Sequence, residues 1–120
     1  MNAKQFQAKV KDLYKKYNLI KDEKRDNRHT LQTVFGTFYF NCEWIPRIKV
    51  ANIHSGLFPA TKEQRQRFKD LSGYNMNVHN GKCNFYSNDY EWILDTLEEY
   101  LDNIVWLESG EKETAKTKEL

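Results

Sequence analysis

The chain has 120 residues, of which 39% are hydrophobic, 14% aromatic and 30% charged, and its formal net charge is +2. That length predicts one domain, placed at 1–107, and the aromatic content argues against a disordered chain. No stretch is long and apolar enough for a transmembrane helix, the first residues lack the apolar run of a secretory signal, and two cysteines make no disulfide framework, so a cytoplasmic protein without membrane contact is expected.

In chain order, Ala3, Phe6, Val10, Leu13, Tyr14 and Tyr17 recur at helical spacing and predict an amphipathic helix over 3–18. The charged run 21–28 reads as a surface loop. The stretch from His29 to Ile53 is rich in β-formers and predicts two strands, with a turn somewhere in Asn41–Pro46 and the second strand from about Arg47 to Ile53. Residues 54–60 read as a connecting loop. Thr61 and Gln64 form a capping-box pattern that opens a short helix over 62–71, closed by Gly73.

Asn80-Gly81 then predicts a two-residue β-hairpin, because both residues tolerate the positive φ of a type I′ turn. In that register Met76, Val78, Cys83 and Phe85 share one face, while Asn77, His79, Lys82, Asn84 and Tyr86 share the other. Asn88 with Glu91 reads as the cap of a final helix. Its apolar stripe is Tyr90, Ile93, Leu94, Leu97, Leu101, Ile104 and Val105. Residues 108–120 lack apolar anchors and read as a polar, disordered tail. The expected class is α+β: helix, hairpin, helix, hairpin, helix, with a four-stranded, mainly antiparallel sheet.

Charge is divided along the chain. Residues 1–87 hold 16 Lys and Arg against 7 acidic residues, and residues 88–120 hold 3 against 10. Such asymmetry fits a nucleic-acid or protein partner, or two halves of one fold that face each other.

No catalytic constellation emerges. Cys42, His54, His79 and Cys83 are zinc-type ligands at poor spacing, and the hairpin register sends His79 and Cys83 to opposite faces. Glu43 beside Cys42 disfavours a thiolate. Carboxylates do not converge, and phosphate-loop patterns are absent. Neither enzyme activity, metal nor cofactor is expected.

Two binding surfaces remain. For a protein partner, or self-association, the candidates are Trp92, Glu99, Tyr100 and Trp106 on the last helix and Asn77, His79, Lys82 and Asn84 on the hairpin. The alternative is nucleic acid held by Lys11, Arg47, Lys49, Lys62, Arg65 and Lys69. A short, motif-poor chain rich in Lys, Asn and Tyr has the general look of a phage or mobile-element accessory protein, for which the protein partner would be a host factor.

Overall fold

The computed structural model describes residues 1–25 and 27–119, the last five by backbone alone. Asp26 of the expected loop and Leu120 of the expected tail lie outside the described residues. The fold is α+β, with three helices packed on a five-stranded antiparallel sheet rather than a four-stranded one.

Helix α1 spans Ala3–Lys16. Asn2 caps it reciprocally with Gln5: each backbone N–H meets the other's side-chain oxygen at 2.9 Å. Phe6, Val10 and Tyr14 form its buried stripe. The chain leaves through Asn18 at φ 58, two residues before β1 (Ile20–Lys21), a short strand inside or beside the segment read as loop.

The β-rich run is divided differently from the expectation. It holds β2 (His29–Thr33) and β3 (Gly36–Ile45), joined by a tight turn at Val34 and Phe35. Gly36 sits at φ 121, a conformation that side chains resist. The Thr33 hydroxyl ties the turn by accepting from Phe35 N and donating to Gly36 O. The next turn is Pro46–Lys49, so Arg47 and Lys49 lie in a turn and not in a strand. Strand β4 is Val50–Leu57 and takes in most of the segment read as a loop.

Helix α2 (Lys62–Ser72) has the predicted ends: Thr61 and Gln64 make the capping box, and Gly73 at φ 76 closes it. Phe68 carries it to the core, 4.9 Å from Phe38 and 5.5 Å from Phe35 by ring centroids.

The Asn80-Gly81 segment corrects the predicted hairpin. Among the described residues no strand lies between α2 and this turn, and β5 is only Phe85–Ser87, paired with β4. Asn77 Oδ1 accepts from His79 N and Asn80 N, and Gly81 N reaches Asn77 O, which rolls the chain into a wider turn. Only Gly81 takes positive φ there, so the turn is not type I′. The carbonyl of His79, which a hairpin ladder would use, is taken by Arg65, which also reaches the Val78 carbonyl. Further along, Cys83 N bonds Ser55 O, while Ser55 N bonds the Asn84 side chain instead of the Cys83 carbonyl. That exchange interrupts the ladder and keeps β5 short.

Helix α3 runs Tyr90–Glu119, beyond the expected end at Leu107. Its cap is Asp89, which accepts from Glu91 N and Trp92 N, and not Asn88. The added turns have partners: Glu108 accepts from Val34 N, and Glu111 pairs with Arg67 of α2 at 2.9 Å.

One face of the sheet receives the helices. Phe38, Phe40 and Cys42 of β3 and Ala51, Ile53, Ser55 and Leu57 of β4 are buried there. The other face carries Thr30, Tyr39, Asn41, Glu43, Asn52 and His54, and is partly open to solvent apart from the buried Tyr39. Strand β3 outruns β2, leaving 41–45 without a strand neighbour on that side. Side chains of α1 replace it: Gln7 accepts from Trp44 N and donates to Cys42 O, and Tyr14 Oη accepts from Cys42 N. This covers an edge that would otherwise offer free backbone groups.

Candidate functional site

The outer face of α3 presents Trp92, Glu99 and Trp106 at intervals of seven residues, with Asp95 and Asp102 interleaved. Two full heptads separate the indoles, about 21 Å along the axis at the helical rise. Trp92 is 48% exposed and Trp106 is 73% exposed, so neither serves the core. Between them Asp95 and Glu99 are in no salt bridge among the described residues. Large exposed aromatics rimmed by charge are uncommon on a surface with no partner.

One basic group and one phenol, both from the end of α1, reach the flanks of this face. Lys16 pairs with Glu98 at 3.2 Å, and the Tyr17 hydroxyl donates to Asp102. The Tyr17 phenol is raised well above its ordinary value, first by desolvation and then by Asp102. The basic and acidic halves therefore meet at Lys16–Glu98 and Arg67–Glu111, and Lys9 shares a groove with Asp95 without a salt bridge to it among the described residues. Such exposed pairs contribute at most about 1 kcal/mol each.

Tyr100, expected on this surface, is fully buried. Its phenol has a partner inside, since the Ser55 hydroxyl donates to it at 3.4 Å. Its ring packs on Tyr74, Phe85 and Phe40 at 4.9, 5.5 and 5.8 Å. Val105, expected in the stripe, is 40% exposed instead. The apolar stripe is thus rotated toward Tyr100. Val105 is a surface residue that its place next to Trp106 could have pointed out, and Asp95 lies on the solvent side as its periodicity implies.

The hairpin candidates part company. Asn77 and His79 belong to the wide turn, Asn84 is committed to Ser55 N, and Lys82 bridges Gly56 on the open sheet face. The separation of faces survives in part, because Met76 and Cys83 are buried while Lys82 and Tyr86 are exposed.

The basic candidates are spread through the fold. Arg47 and Lys49 lie in the turn before Val50, and Lys62 comes after the loop that follows Leu57 at the other end of β4, a strand about 23 Å long. Lys11 lines a groove of about 680 Å³ between α1 and β3, with Lys15, Lys21 and His29. Lys62 is exposed on α2, and Lys69 is half-buried in its last turn. Arg65 is buried, 7% exposed, with Nε on Leu57 O at 2.8 Å and Nη1 on His79 O at 3.1 Å. It is a structural clamp between α2, β4 and the Asn77–Gly81 turn.

Neither thiol is set up as a nucleophile. Burial, and then Glu43, push the Cys42 thiol up to about 12, and burial also raises Cys83. Among the described residues no three His, Cys, Asp or Glu side chains gather as metal ligands, and no helix is long and apolar enough to cross a membrane. No protein-family model, curated protein or solved structure matches the chain.

Proposed function

We propose that this protein is a non-catalytic interaction module that docks a Lys/Arg-rich segment of a partner protein on the outer face of α3. The observation that carries this reading is the pair Trp92 and Trp106, exposed on one stripe with the unbridged Asp95 and Glu99 between them. Buried indoles supply most of the energy of many interfaces. Carboxylates between them attract cations, and Lys or Arg can also lie over an indole face. Nucleic acid would meet like charge on this surface, and two copies joined through α3 would oppose acid to acid, so a basic protein segment is the fitting occupant. A host protein would fill that role for an accessory protein of a phage or mobile element.

Intrinsic tryptophan fluorescence reads the docking directly. Titration with a Lys/Arg-rich peptide should give a saturable change that added salt weakens. An acidic peptide of equal length should give none. No response to the basic peptide at low salt would sink the reading.

A further inference from the structure

We infer that the open face of the sheet, around Arg28, Tyr39, His54, Lys82 and Tyr86, binds single-stranded nucleic acid. Four chain segments bring these side chains to one surface. Tyr39 of β3 is opposite Gly56 of β4, and Gly56 bridges Lys82, so Tyr39 and Lys82 share a face. Arg28, just before β2, places its guanidinium carbon 4.3 Å from the Tyr39 ring centroid. The His54 ring lies 6.0 Å from that of Tyr39. Tyr86, opposite Asn52 on β5, is 59% exposed and offers a bare ring on the same face.

The charge of this surface is one-sided. Burial raises the Tyr39 phenol, while Arg28, Arg65 and Arg25 pull in the other direction. Burial lowers the His54 imidazole, with Lys82 and Arg28 adding to the effect, and Glu43 alone opposes them. Arg65 hydrogen-bonds backbone carbonyls, and no carboxylate pairs with it among the described residues. Among the described residues Glu43 is the one carboxylate at a strand-paired position of this face, opposite Asn52.

A single strand needs cations for its phosphates and an open ring for a base to stack on; Arg28 and Lys82 supply the first and the exposed Tyr86 the second, while the buried Tyr39 holds Arg28 in place. A duplex hides its bases and would use the cations alone. This surface shares no residue with the Trp-bearing stripe of α3 and does not depend on it.

The test is fluorescence anisotropy of the full chain with labelled single strands of about 12 nucleotides, RNA and DNA separately. Binding should appear at about 50 mM salt and fall steeply by about 200 mM. Lys82→Ala and Tyr86→Ala change exposed side chains, and each should weaken binding about tenfold. Arg47→Ala, in the turn beyond Ile45, should leave it unchanged. Failure of both RNA and DNA to bind at low salt overturns the proposal. Equal affinity for duplex, or displacement by inorganic polyphosphate with Tyr86→Ala without effect, also overturns it, because either result describes an anion patch without stacking.

Discussion

Tyr39 lies across Gly56: a Cβ on Gly56 would stand 2.5 Å from the Tyr39 phenol oxygen, 2.7 Å from its Cζ and 2.8 Å from the carbonyl oxygen of Gly81. Two neighbours would have to move, and one of them is backbone. Gly56→Ala should therefore cost about 1–3 kcal/mol, the usual range for overpacking. Chemical denaturation measures it, and wild-type stability would show that both the Tyr39 ring and the Gly81 carbonyl give way freely.

Arg65 is a second such point. Its guanidinium meets the carbonyls of Leu57, His79 and Val78, at 2.8, 3.1 and 3.5 Å. Arg65→Met keeps much of the side-chain length and removes the donors. Two or three carbonyls then lose partners, for a cost of about 2–4 kcal/mol. The loosened Asn77–Gly81 turn should show up as faster amide hydrogen exchange at Gly81 and Lys82. Unchanged exchange would mean that the Asn77 side chain holds the turn alone.

Stability should fall on both sides of neutrality. In the folded chain Cys42 keeps its proton up to about 12, whereas an exposed thiol loses it near 9. The unfolded state therefore releases a proton that the native state retains, and stability declines as pH rises through about 9 to 12. Tyr100, raised well above its ordinary value by burial, acts in the same direction. On the acid side His29 and His54 are lowered from 6.5, chiefly by burial. The unfolded state takes up protons first, so stability also declines as pH drops below 6.5. Urea midpoints across pH read both limbs, and a flat profile above about pH 9 would rule out the alkaline one.

The cap of α3 separates two adjacent residues. Asp89 accepts from Glu91 N at 2.9 Å and from Trp92 N at 3.2 Å, so Asp89→Ala should cost about 1 kcal/mol. Asn88→Ala should cost little. Thermal denaturation of the two variants distinguishes them, and the reverse order would restore Asn88 as the cap.

These residues also mark where local pattern stops being informative. The ends of α2 were legible because Thr61, Gln64 and Gly73 act on their own helix. The burial of Met76 and Cys83 was legible from strand parity. The pairing partner of 82–87 was not, because Arg65 takes a backbone carbonyl from outside the local sequence window and Asn84 binds a backbone N–H 29 residues away, on Ser55. Tyr100 reads as a surface residue because it lies at the edge of the apolar stripe, and the group that satisfies its phenol inside, Ser55, is 45 residues away. The length of α3 was missed for a similar reason, since Glu108 and Glu111 are anchored to Val34 and Arg67. On the candidate face, Trp92, Glu99 and Trp106 could be read from heptad spacing, whereas the buried role of Arg65 could not.

The most direct measurement of the α3 surface is the affinity of a basic partner peptide for the wild-type chain and for the Trp92→Ala/Trp106→Ala double variant. Both side chains are exposed, so the variant should melt with the wild type, within about 0.5 kcal/mol. Loss of two interface indoles should weaken binding at least thirtyfold, about 2 kcal/mol. Equal affinity in a folded double variant would contradict docking on α3.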